Sequence, residues 1–148
     1  MKYCKIRDVK SPIRGTSLSA GIDFFVPNDF PGEHFLVPGQ AVNVPSGIKV
    51  KIPHGYALVF KNKSGVALKK DLQVGACVID EDYQGEIHLH VRNIGIEVQS
   101  IHPGEKLVQA ILVPVSLEGV EEVDDELALY GGEKTERGGG GFGSTGTE

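Results

Sequence analysis

The sequence predicts an all-β domain, and three observations carry that prediction. Twenty glycines and eight prolines among 148 residues are too many for a helical bundle and suit a chain that turns often. Apolar and polar residues alternate over short runs. Val42 and Val44, then Ile48, Val50 and Ile52, are interleaved with Asn43, Lys49 and Lys51, and Ile87, Leu89 and Val91 with His88, His90 and Arg92. That is the period of a half-buried strand. Turn signals at Pro38-Gly39, Pro45-Ser46-Gly47 and Pro53-His54-Gly55 recur about every eight residues, the spacing of a sandwich or barrel. The length suits one domain with a substantial core.

Net charge is −5, so no global basic field recruits nucleic acid, although a local cluster could serve one anionic small molecule. The two cysteines, Cys4 and Cys77, form neither a disulfide framework nor a metal-ligand spacing, which suits a reducing, cytoplasmic setting. The absence of a bilayer-length apolar run and of a charged-then-apolar leader predicts a soluble protein with no membrane partner.

Taken in order, Met1 to Val9 reads as an edge strand and Ser11 to Ser19 as a loop. Ala20 to Val26 is a short apolar strand with one embedded acid, Asp23, either a hydrogen-bonded strand residue or an acid that orients water or a cation. After the punctuated strands comes Lys61-Asn62-Lys63-Ser64-Gly65-Val66-Ala67-Leu68-Lys69-Lys70. Ser64 reads as an N-cap and Val66 to Lys70 as one or two helical turns. A helix start among four lysines attracts anions. Between two strand-like segments lies the acidic turn Asp80-Glu81-Asp82-Tyr83-Gln84-Gly85, a carboxylate-bearing hairpin tip with an aromatic three residues on. Asp80, Asp82 and Gly85 match three positions of a calcium loop, but Val91 stands where the bidentate Glu is required, so that reading fails. His88 and His90 share a strand face and would need a third ligand to hold a metal. Pro103 to Val115 is a buried strand carrying one amide, Gln109. Glu118 to Glu126 is acidic and ambiguous between strand and helix.

From Gly131 the composition shifts. Residues 1–130 read as the β domain and 131–148 as a glycine-rich arm, mobile when empty. Its Arg137, Phe142, Gly143, Ser144 and Thr145 are what a clamp on phosphate and base needs: an ion-pairing side chain, a stacking ring, hydroxyls and glycine backbone N–H groups.

These stretches, in this order, resemble the trimeric dUTPase family. AGID (Ala20 to Asp23), KSGVA (Lys63 to Ala67), GACVIDEDYQGEI (Gly75 to Ile87), EKLVQAI (Glu105 to Ile111) and RGGGGFGSTG (Arg137 to Gly146) are similar to its five motifs. The resemblance implies a jelly-roll-like distorted β-barrel with one short helix. It further implies a homotrimer with active sites shared between subunits, and hydrolysis of dUTP to dUMP and pyrophosphate with Mg²⁺ on the triphosphate. By the same resemblance Asp80 is the general base that activates water, and Tyr83 packs on the deoxyribose. Uracil is read by main chain around Cys77, Val78 and Ile79 and across at His88. Lys63, Ser64, Gly65 and Gln109 sit at the phosphates, with Asp23 acting near the cation through water. Arg137, Ser144 and Thr145 close on the γ-phosphate while Phe142 stacks over the base, with Gly143 also among the substrate-binding residues. This chain departs from the family in carrying Lys63 for an arginine and Cys77 for a glycine. Two other classes compete: a dCTP deaminase, whose family shares the barrel, and a non-catalytic nucleotide-sensing module.

Overall fold

The computed structural model describes residues 1–141. Residues 1–116 form one compact unit and the chain from Leu117 a second. The first contains β1 (Lys2–Lys5), β2 (Ile13–Arg14), β3 (Ile22–Phe25), β4 (His34–Leu36), β5 (Ala41–Pro45), β6 (Ile48–Lys51), β7 (Tyr56–Asn62), α1 (Ser64–Lys70), β8 (Leu72–Val74), β9 (Val78–Ile79), β10 (His88–Asn93), β11 (Gln99–Ile101) and β12 (Lys106–Pro114). All pairings are antiparallel. The ladders stay open: a five-stranded sheet in the order β2-β3-β12-β7-β9, a three-stranded sheet β5-β10-β8, and the pairs β1-β6 and β11-β4.

Alternation builds the core along β10, as expected, while β3 is buried on both faces. Leu89 and Val91 of β10, Leu58 and Phe60 of β7, Phe24 of β3 and Leu107, Val108 and Ala110 of β12 belong to one buried cluster. Phe24 meets Phe60 edge to face at 5.0 Å between centroids. Each of the larger side chains here contributes about 2 kcal/mol on leaving water. Asn93 is fully buried, and its amide is satisfied: it donates to the Leu36 and Glu97 carbonyls and accepts from Gly95 N–H.

Two expectations are corrected. The strands flanking the acidic turn do not pair with each other. Both edges of β10 are occupied, by β5 and β8, so β9 joins β7 in the other sheet. The turn therefore bridges two sheets and is not the tip of a simple hairpin. Ser64 is not the N-cap of α1 either. Lys63 holds that position in extended conformation, without a side-chain cap, and Ser64 is the first helical residue.

The second unit carries α2 (Glu126–Tyr130), capped by the Asp125 carboxylate on Ala128 N–H and stopped at Gly131 in the left-handed region, φ +60°. Among the described residues no helix is long and apolar enough to cross a membrane.

Candidate active site

Two polar clusters lie at opposite ends of β7. The first gathers where β3, β12 and the end of β7 meet. Asp23 is only 4% exposed, and its carboxylate accepts from Lys63 Nζ at 2.9 and 3.2 Å and pairs with Lys106 Nζ at 2.9 Å. Burial pushes its pKa up, but hydrogen bonds and charge from Lys106 and Lys63 outweigh that and hold the carboxyl below its ordinary value. Lys106 and Gln109 are three residues apart, so a regular strand would send them to opposite faces. A register shift between Lys106 and Val108 prevents this. Leu107 and Val108 are both buried, Lys106 reaches Asp23, and Gln109 sits directly opposite Asp23 on β3 and Lys61 on β7. Gln109 donates from Nε2 to the Asn62 carbonyl at 2.8 Å. Its amide lies over Gly21, where any side chain would collide with it.

Ser64 and Gly65 follow at the start of α1, both exposed. Of the four lysines expected to surround that point, two are committed: Lys63 to Asp23, and Lys70 to Glu105 at 2.8 Å.

The second cluster is the turn. Phe60 N–H donates to the Cys77 carbonyl at 2.6 Å, and Ile79 faces Leu58 across the ladder. Antiparallel alternation then directs the N–H and C=O of the intervening Val78 away from β7, leaving one donor and one acceptor side by side. Cys77 is half-buried and lines an open cavity of about 400 Å³ with Phe60, Lys61, Asn62, Gln73 and Val74. Asp80 follows β9 directly. Its side chain is exposed, with no partner among the described residues, while its carbonyl accepts from Tyr83 N–H at 3.2 Å. The Tyr83 ring folds over Gly85, where a Cβ would strike it, and its hydroxyl donates to the Glu86 carbonyl at 2.9 Å. His88 is exposed and its Nδ1 lies 3.0 Å from the same carbonyl, so that nitrogen carries the proton.

Ile79 is level with Leu58, which puts Asp80 level with Ala57, whereas Gln109 is level with Lys61 and α1 begins beyond Asn62. The strand from Ala57 to Asn62 spans about 17 Å. Within one chain the turn and the Gln109 cluster are therefore separate places.

In the second unit, exposed Arg137 donates from Nε to the Gly140 carbonyl at 2.9 Å. Phe142, Gly143, Ser144 and Thr145 lie outside the described residues.

The dUTPase family model matches residues 7–146. The chain belongs to the dUTPase family. It is 34% identical over 147 residues to the deoxyuridine 5'-triphosphate nucleotidohydrolase of Chlamydia muridarum, an alignment covering 97% of each chain. Its fold is similar to that of a dUTPase variant of Staphylococcus bacteriophage 80alpha solved with dUpNHpp, with a TM-score of 0.83, 22% identity and coverage of 98% of this chain and 97% of that one. It is also similar to a dUTPase variant of phage phi11 of S. aureus that coordinates a structural Mg(II) ion, with a TM-score of 0.73, 21% identity and coverage of 85% and 97%.

Several residues around this dUTPase-family site escaped sequence reasoning. Lys106 completes the Asp23 cluster, and only the bulge reveals it. His90 anchors the approach to the turn: Gly75 N–H donates to its carbonyl and Ala76 N–H to its Nδ1, at 3.0 and 3.1 Å. Glu81 reads in sequence as one more acid of the turn and Glu86 as the residue after it, yet both point into neighbouring backbone. No local pattern distinguishes them from Asp80.

No group of three His, Cys, Asp or Glu side chains among the described residues could hold a metal ion. Asp23 has already filled most of its acceptor positions with lysine, leaving about one of roughly four.

Proposed function

We propose that the chain hydrolyses dUTP to dUMP and pyrophosphate in a site built from the Asp80 turn of one copy and the Asp23–Gln109 cluster of another, three copies forming a ring. The observation that carries this reading is the separation along β7. Both halves have the chemistry the reaction needs, and one chain cannot bring them together. A threefold arrangement of identical chains supplies each site with both.

In this mechanism Asp80 holds a water molecule and takes its proton as the oxygen attacks the α-phosphorus. The bond to the α–β bridging oxygen breaks and pyrophosphate leaves. An exposed carboxylate with no competing partner among the described residues suits this task, because positioning the water supplies most of the gain. Ser64, Gly65 and Gln109 contact the phosphates. Lys63 contributes charge there while tethered to Asp23, as a point charge and not the bidentate fork of an arginine. Asp23 thus acts through its two lysines. The Asp23 carboxylate is already spent on Lys63 and Lys106, which suits an ion that arrives on the substrate. Mg²⁺ bound to the triphosphate supplies neutralising charge for the leaving pyrophosphate.

The outward N–H and C=O of Val78, between Cys77 and Ile79, offer uracil a base-pair-like edge, with His88 opposite. The Tyr83 ring lies where a ribose 2′-hydroxyl would have to sit. Residues 131–148 act as an arm: Arg137, Gly143, Ser144 and Thr145 on the γ-phosphate, Phe142 over the base.

The test is pyrophosphate release with Mg²⁺ from dUTP, dTTP, dCTP and UTP in parallel, with the mass of the assembly measured by light scattering. Turnover of dUTP alone by a trimer is expected. Comparable turnover of UTP would overturn the role of Tyr83, deoxyuridine nucleotide and ammonia formed from dCTP would indicate the deaminase, and an active monomer would overturn the shared site.

A further inference from the structure

The exposed turn that carries Asp80 and Tyr83 needs something to hold it in place. Two carboxylates do so. Glu81 accepts from Gly55 N–H at 2.9 Å and lies 3.1 Å from His54 Nδ1. Glu86 accepts from Gly47 N–H at 2.8 Å and from Arg7 Nε at 2.8 Å, with Arg7 Nη2 at 3.4 Å from its second oxygen. Both receiving sites are tight turns whose glycines are in the left-handed region, φ +77° at Gly55 and +73° at Gly47. Each turn follows a proline, and each aims one otherwise unused N–H at a glutamate.

The two anchors are at opposite ends of the segment. Glu81 ties the residue after Asp80 to the β6–β7 connection, and Glu86 ties the residue after Gly85 to the β5–β6 connection. Tyr83 is fastened to the second anchor, since its hydroxyl donates to the Glu86 carbonyl. Both carboxyls are held below their ordinary range, Glu81 first by the Gly55 N–H and then by His54 and Lys51, Glu86 first by Arg7 and then by Gly47 and His88. Arg7 is held in turn by Asp29 at 3.7 Å.

We propose that Glu81 and Glu86 are positioning residues for the reaction: they touch no substrate, and they set where Asp80 and Tyr83 stand relative to the bound nucleotide. This rests on the reading of Asp80 as the general base. A displacement of about 1 Å in a reacting group can cost about 100-fold in rate, so loosened anchors register in turnover before they register in binding.

The experiment compares Asp80→Asn, Glu81→Ala, Glu81→Gln, Glu86→Ala and Glu86→Gln by steady-state kinetics on dUTP and by amide hydrogen exchange. Both alanine variants are expected to lower kcat about 10- to 100-fold with KM changed less than about twofold. Exchange should accelerate at residues 80–86 and stay unchanged in β7 and β12. The glutamine variants keep an acceptor for the Gly55 and Gly47 N–H groups and should recover most of the loss. Wild-type kcat in both alanine variants, with Asp80→Asn inactive, would overturn the anchoring while leaving Asp80 its role. Faster exchange across the whole core would reduce the glutamates to general stability and also overturn it. Rapid turnover by Asp80→Asn would overturn the reading of Asp80, and the anchoring with it.

Discussion

Asp23 lies within β3 and Asp80 just after β9, two strands of the same five-stranded sheet, and their surroundings could hardly differ more. Asp23 is buried and grips two lysines. Asp80 is exposed and grips nothing among the described residues. A carboxylate whose acceptor positions are filled by ammonium groups organises charge, whereas one left open can bind and deprotonate water. The two glutamates beside Asp80 sharpen the lesson. They are spent on backbone N–H groups and an arginine, which leaves Asp80 and Asp82 as the open acids of the turn among the described residues, Asp80 being the one next to β9.

The contrast breaks most visibly at Asp80. Asp80→Asn should keep nucleotide binding and lose about 10²- to 10⁴-fold in turnover, the range for a removed general base. Stopped-flow pyrophosphate release beside binding of a non-hydrolysable dUTP analogue measures both, and turnover within a few-fold of wild type would contradict the assignment. Its unfolding midpoint should not move.

Asp23 should behave in the opposite sense. Asp23→Ala leaves two ammonium groups facing a buried space. Their side chains are 30% and 43% exposed, so they can partly turn to water, and the expected cost is about 2 kcal/mol, less than for a fully buried pair. Urea unfolding reads it. An unchanged midpoint would mean that Asp23 is not the structural member of the comparison.

A smaller effect concerns pH. Because the folded Asp23 carboxyl lies below its ordinary value of 3.8, its contribution is complete well above that value. It drains as pH falls through 3.8 toward the depressed folded value. Asp23→Asn should therefore flatten the acid limb of stability below pH of about 4 and leave the slope near neutrality alone. Parallel acid limbs in the two proteins would remove Asp23 from that account.

Local chemistry was legible in the sequence, and long-range partnership was not. The alternation of Leu89 and Val91 with His88 and His90 placed β10 correctly, since a strand with one buried face writes its period into the chain. The same period says nothing about which neighbour a strand takes, and β9 turned to β7 because both edges of β10 were occupied. Nor does it reveal the bulge that brings Lys106 to the side of Gln109. Ser64 looked like a cap by residue type, while the backbone gave that position to Lys63. The helix at Glu126–Tyr130 was readable in hindsight, with Asp125 before it and Gly131 after it. It was masked by the acidic run in which it begins. The ordered motifs pointed to both halves of the candidate site, but their separation along β7 emerges only from strand register.

That separation is tested most directly by subunit mixing. Asp80→Asn and Ser64→Ala/Gln109→Ala, each impaired alone, are co-refolded in equal amounts and assayed on dUTP. If every site draws its acid from one chain and its phosphate contacts from another, random trimers regain about a quarter of wild-type sites. If all these residues act within one chain, mixing restores nothing, and the shared-site account fails.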